Sequence, residues 1–81
     1  MKMMMRIRDL REDADLKQKD ISNLLHCSQQ IYSDYETGKV ELPLVFLIQL
    51  AKYYNTTTDY ILRLTNVKER PRTWGNYNID I

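Results

Sequence analysis

Two short helical periods held apart by three residues constrain this chain more than any other feature. Ile21, Leu24 and Leu25 recur at spacings of three and four, which places a helix over 18–25. His26 and Cys27 interrupt that period. Ser28 is a good N-cap, and it opens a further helix over 29–37. Gly38 then fits the position just past a helix, where φ is positive and a Cβ is costly.

The same periodicity extends outward from this centre. Met4, Ile7 and Leu10, with Ala14 one turn on, predict a first helix over 4–14, and Leu16 follows a short turn. Pro43 suits the first turn of a fourth helix, where its missing N–H costs nothing. Leu44, Leu47, Ile48, Ala51 and Tyr54 give that helix an apolar face to about residue 54. Asn55 and Thr56 break it. Thr57 then caps a short fifth helix, with Asp59 in the first turn and Tyr60, Ile61 and Leu64 expected to pack inward. With two glycines and two prolines in 81 residues, little interrupts the helices. The expectation is an all-α, compact five-helix domain over 1–66. The aperiodic stretch 67–81 reads as a flexible C-terminal tail.

Charge and cysteine content narrow the chemistry. Net charge is +1, so a nucleic-acid partner cannot be argued from total charge, only from its distribution. Lys2, Arg6, Arg8 and Arg11 crowd one end; Lys68, Arg70 and Arg72 crowd the other. Cys27 is the only cysteine, which excludes an internal disulfide, and its adjacency to His26 is not zinc-ligand spacing. No metal site and no cofactor are expected. No enzyme is expected either, because His26 and Cys27 lie in a tight turn without a base, an orienting group or a phosphate loop. The run Met1 to Met5 does not read as a signal peptide. No stretch approaches the ~20 apolar residues of a membrane span. The expected location is cytoplasmic.

Residues 18–38 have the spacing of a helix-turn-helix. In that arrangement one helix lies across the nucleic-acid backbone and the next enters the major groove. The exposed N-terminal part of the second helix would then carry Ser28, Gln29, Gln30, Ser33 and Asp34 to the bases. A glutamine amide pairs with the N6 and N7 edge of adenine, worth ~1–3 kcal/mol of discrimination. With Tyr32 and Tyr35 packed inward, Ile31 would face outward, where it could meet a thymine methyl.

Residues 7–62 resemble the helix-turn-helix domain of the phage repressor and Cro-like family, called XRE. The matching residues are Ile7 to Glu12, Leu16 to Ile21, Cys27 to Gln30, Tyr35 to Lys39, Pro43, Leu50 to Tyr54 and Asp59 to Leu62. The resemblance implies a double-stranded DNA partner and a regulatory role. A homodimer is expected on energetic grounds, since one module reads few bases and binds weakly, and repression would follow by occluding a promoter. The resemblance implies a phosphate contact for Gln18, base reading by Gln29, Gln30 and Asp34, and Ser28 and Ser33 near phosphates or base edges. It also implies a backbone contact for Lys39 and a salt bridge between Arg11 and Glu36. His26 stands where relatives carry a residue with positive φ, and Cys27 where they carry a small buried one.

Departures from the family pattern point elsewhere. Lys17 replaces the usual capping Ser or Thr of the second helix, and would reach a phosphate instead. Asp34 puts a carboxylate where relatives are neutral or basic; it would repel phosphates, or accept from cytosine N4. Val45 and Phe46, with Tyr53 two turns on, would form an exposed apolar strip, a candidate interface with a second subunit or another protein. The competing place for Phe46 is under the tail, against Trp74 or Tyr77. The alternative function is therefore a protein-interaction module, such as an antitoxin, on the same fold.

Overall fold

The computed structural model describes residues 5–69. Five helices follow in order: α1 Ile7–Asp13, α2 Gln18–Leu25, α3 Gln29–Thr37, α4 Leu44–Tyr53 and α5 Thr58–Ile61. No strand occurs among the described residues. The expected all-α, five-helix architecture is the observed one. The expected start of the first helix at Met4, and the partners Trp74 and Tyr77 suggested for Phe46, lie outside the described residues.

One core unites the helices. Ile7 and Leu10 enter it from α1, Ile21 and Leu25 from α2, Tyr32 and Tyr35 from α3, Leu47, Leu50 and Ala51 from α4, and Ile61 from α5. Within α1 to α4 each set repeats at three or four residues, so each of these helices turns one stripe inward and leaves the other wet. Leu16 and Cys27 pack on the margin of this core from the connecting turns. Cys27 is half-buried, and its burial pushes the thiol pKa up.

All five helices close in the same way. After α2, the Cys27 N–H donates to the Ser22 carbonyl at 3.0 Å and the His26 N–H to that of Asn23 at 3.2 Å. That pair of bonds is a Schellman closure, and it requires a left-handed residue just past the last turn of the helix. His26 and Gly38 stand directly after α2 and α3, and Asp15, Asn55 and Arg63 one residue further on after α1, α4 and α5; in chain order the five φ values are 57°, 56°, 80°, 53° and 63°. Only one of the five is glycine. The other four adopt the left-handed conformation at a steric cost that the two closing bonds and the packing beyond them offset.

The helix starts are more varied. Ser28 Oγ accepts from the Ile31 N–H at 3.1 Å, and Thr57 Oγ1 from that of Tyr60 at 3.0 Å. Lys17 has no side-chain acceptor. Asp20 supplies one in its place, its carboxylate accepting from the Lys17 N–H at 2.8 Å. That is half of a capping box, and it lessens the loss that a lysine at this position implies.

Arg6 ties the two ends of the described chain. Its backbone N–H donates to the Ile61 carbonyl at 2.9 Å. Its guanidinium lies 4.2 Å from the centre of the Tyr60 ring and donates to the carbonyls of Tyr60 and Thr65 and to Asn66 Oδ1. The fully buried Thr56 donates to the Lys68 carbonyl at 2.6 Å, so the chain is still held to the helices just past residue 66.

Four expected side-chain positions are corrected, the first being Leu44, which was placed on the apolar face of α4 but is 69% exposed at the helix start. Leu64 was expected inside but is 72% exposed, because the chain leaves α5 at Ile61 and the left-handed turn at Arg63 swings the next residue out. Leu62 packs against the core instead. Phe46 is not part of an exposed strip: it is half-buried and meets Tyr35 edge-on, the ring centres 6.1 Å apart. Ile31 is half-buried against the core rather than turned to solvent.

Glycine has no steric penalty at a left-handed position, so His26→Gly is expected to raise unfolding stability by up to about 1 kcal/mol in chemical denaturation. Gly38→Ala is expected to lower it by about 1–2 kcal/mol in the same assay. Equal stabilities for wild type and both variants would mean that the helix closures carry no strain.

Candidate nucleic-acid interface

The site is built from α2, the turn 26–28 and α3. α2 and α3 pack against each other across a connection of three residues. Ser28, Gln29 and Gln30 are exposed at the start of α3; Ser33 and Asp34 are half-buried one turn on. Gln18, Gln29, Gln30 and Ser33 together line one open concavity on the surface. Lys17 and Lys39 are exposed, at the start of α2 and just past the end of α3. Both helix starts also present N–H groups that have no partner within their own helix, an arrangement suited to an anion.

Beneath this surface lies a buried polar hub. The side chain of Glu36 is 3% exposed and that of Arg11 13%. Arg11 Nε donates to Glu36 Oε2 at 2.7 Å and Arg11 Nη2 to Glu36 Oε1 at 3.1 Å, a bidentate pair. Arg11 Nη1 also donates to the Leu16 carbonyl at 2.9 Å, which fixes the turn between α1 and α2. The salt bridge implied by the family resemblance is therefore present, and it joins α1 to α3.

Gln18 belongs to the same hub. Its Nε2 donates to Glu36 Oε1 at 3.1 Å. The sequence pointed to a phosphate contact for Gln18; the structure adds a second role, in which its amide holds α2 to α3. Tyr32 is fully buried beside them. Its hydroxyl falls outside strict hydrogen-bond geometry, yet it lies close enough to Glu36 to help stabilise the carboxylate. Burial alone would raise the Glu36 pKa. The hydrogen bonds from Arg11 and Gln18, the nearby Tyr32 hydroxyl and the charge of Arg11 outweigh it and hold the carboxyl below its ordinary value. The bond to Glu36 raises the Arg11 pKa in turn.

On the exposed face, Gln30 Nε2 donates to Asp34 Oδ1 at 3.2 Å. The carboxylate that looked out of place in the sequence thus has a partner one turn away on its own helix. The spacing of four residues was the available signal, because side chains at i and i+4 meet on a helix surface. The contribution of Gln18 to Glu36 had no such local signal, since 18 residues separate the two.

Helix α4 presents a separate surface. Val45 and Tyr53 are 52% and 50% exposed, and Leu44 at the helix start is more exposed still. With Phe46 turned inward, two of the three expected interface residues remain on the outside. Among the described residues no cluster of His, Cys, Asp or Glu has the arrangement of a metal site, and no helix is long and apolar enough to cross a membrane.

The helix-turn-helix family profile matches residues 7–61, which takes in every helix just described. The chain belongs to this helix-turn-helix family, of the XRE type. One relative is an uncharacterized HTH-type transcriptional regulator, YobD, of Bacillus subtilis; it is 33% identical over 61 residues, 75% of this chain. The chain spans about half the length of that relative, 54%. No solved structure matches the chain.

Removing one partner of a buried pair strands the other charge, at a cost of about 3–5 kcal/mol. Glu36→Ala and Arg11→Ala are each expected to lose that much, a large share of the stability of a small domain, by denaturant titration. The pH dependence has a definite sign. A carboxyl whose folded pKa is lowered stabilises the fold above its unfolded pKa, and that contribution is lost as pH falls through the folded value. Stability is expected to decline below about pH 5, and Glu36→Gln to flatten that decline in acid melts. An unchanged acid limb in Glu36→Gln would assign the decline to other groups.

Proposed function

We propose that this chain is a sequence-specific, double-stranded DNA-binding transcriptional regulator that reads the major groove with α3. The observation that carries this reading is the gathering of Gln18, Gln29, Gln30 and Ser33 around one exposed concavity, on a helix pair locked from beneath by Glu36. The groove is about 12 Å wide and admits one helix. Lys17, Lys39 and the hydroxyls of Ser28 and Ser33 would hold phosphates and set the register; Gln29 and Gln30 would select bases.

The action is passive, and repression follows by occlusion of a promoter. One module reads few base pairs, so a homodimer on a two-fold site, with half-sites ~34 Å apart, supplies the affinity that a single copy lacks. Near-neutral net charge strengthens this argument, because long-range attraction to DNA is weak here. Val45, Tyr53 and Leu44 are the surface offered for the second subunit. The role needs no cofactor or catalytic group, and it places the protein in the cytoplasm with the genome. A second reading, a protein-interaction module of the antitoxin kind, draws its support from that same exposed face.

Selection from a pool of random duplexes tests the main reading. Wild type is expected to enrich a palindromic motif that Gln29→Ala/Gln30→Ala loses, at about 1–3 kcal/mol for each base contact. Lys17→Ala and Lys39→Ala should weaken all sequences alike and shrink the salt slope by about one each. Motif-free binding that vanishes with salt would favour the second reading. In sedimentation, Val45→Glu/Tyr53→Glu is expected to convert a dimer to a monomer. A double variant that still forms dimers would move the subunit contact elsewhere.

A further inference from the structure

We infer that Asp34 is a specificity-determining positioning residue, which fixes the Gln30 amide to accept adenine and to reject guanine. The inference rests on the reading that α3 faces the major groove. It starts from the hydrogen bond in which Gln30 Nε2 donates to Asp34 Oδ1 at 3.2 Å. An ionised carboxylate has no proton to give, so the amide atom turned toward it is the nitrogen. The orientation of the amide is therefore set by charge.

The consequence follows from counting donors. A free glutamine amide has two N–H donors and one acceptor oxygen, and its last torsion is soft. It can give both N–H groups to the N7 and O6 acceptors of guanine. It can also give one N–H to adenine N7 and accept from adenine N6. With one N–H committed to Asp34, Gln30 keeps one donor and one acceptor. That set matches the adenine edge. Opposite guanine, one base acceptor would face either the Gln30 oxygen or the Asp34 carboxylate, unpaired and repelled.

The anchor is itself held. The Asp34 carbonyl accepts from the N–H groups of Lys39 and Val40 and from the Thr37 hydroxyl, which fixes the backbone at the foot of the carboxylate. The bond to Gln30 is exposed in the free protein and correspondingly weak. Docked against base edges it would lose competing water and strengthen. A carboxylate facing DNA thus acts through its neighbour, at some cost in phosphate repulsion.

The experiment is selection and sequencing of random duplexes with wild type, Gln30→Ala, Asp34→Ala and Asp34→Asn, each checked for fold by circular dichroism. Wild type should prefer adenine at one position in each half-site, and Gln30→Ala should flatten that position. Asp34→Ala should still bind, while the adenine-over-guanine ratio there falls about tenfold. Asp34→Asn should keep the ratio, because its side-chain oxygen still accepts from Gln30 without the charge. An unchanged ratio in Asp34→Ala would overturn the inference. So would an asparagine variant that behaves like alanine, or a preference lost at a different, cytosine-bearing position, which would mean direct contact by Asp34. A motif that depends on Gln30 but ignores Asp34 sinks this inference alone. No motif in wild type, or none that depends on Gln30, sinks the reading of α3 beneath it.

Discussion

A single buried carboxylate organises this molecule. Glu36 sits on α3 with almost no access to water, and a charge so placed is tolerated only where donors surround it. Those donors come from two other helices, Arg11 on α1 and Gln18 on α2. The carboxylate is satisfied only when all three helices are docked at one set of angles. Apolar packing alone tolerates small slippage between helices; a bidentate guanidinium does not. The exposed side of α3 is held in place from behind by this polar hub.

The connections follow the same logic of short, fully bonded links. Each helix ends in a left-handed residue and two back-directed hydrogen bonds, so the chain reverses within a few residues and two of the last-turn carbonyls are bonded. Four of those positions carry Asp, His, Asn and Arg in place of glycine. The strain each accepts is small beside the core that the turns bring together. Arg6 does for the chain ends what the turns do for the helices, binding the first residues to α5 and the segment after it.

Function, on the reading proposed here, depends on how little charge the chain carries. A strongly basic domain binds any duplex; a near-neutral one must recover affinity from well-placed contacts and from a second copy. The surface of α3 is arranged accordingly, with neutral amides forward and a carboxylate set against one of them. The exposed apolar residues of α4 lie on a different element and leave that surface clear.

Helix periodicity, the caps at Ser28 and Thr57 and the turns at His26 and Gly38 were legible in the sequence, because each is a local property of a few adjacent residues. The partnership of Arg11 with Glu36 was legible only through family resemblance. Tertiary structure alone decided the rest. Phe46 turned inward because its ring packs edge-to-face with Tyr35, and Leu64 turned out because Arg63 went left-handed. Gln18 became a strut because Glu36 arrived beside it from another helix. Periodicity fixes which face of a helix is apolar. It does not say which residue of another helix will meet that face, because that depends on how all five helices share one small core.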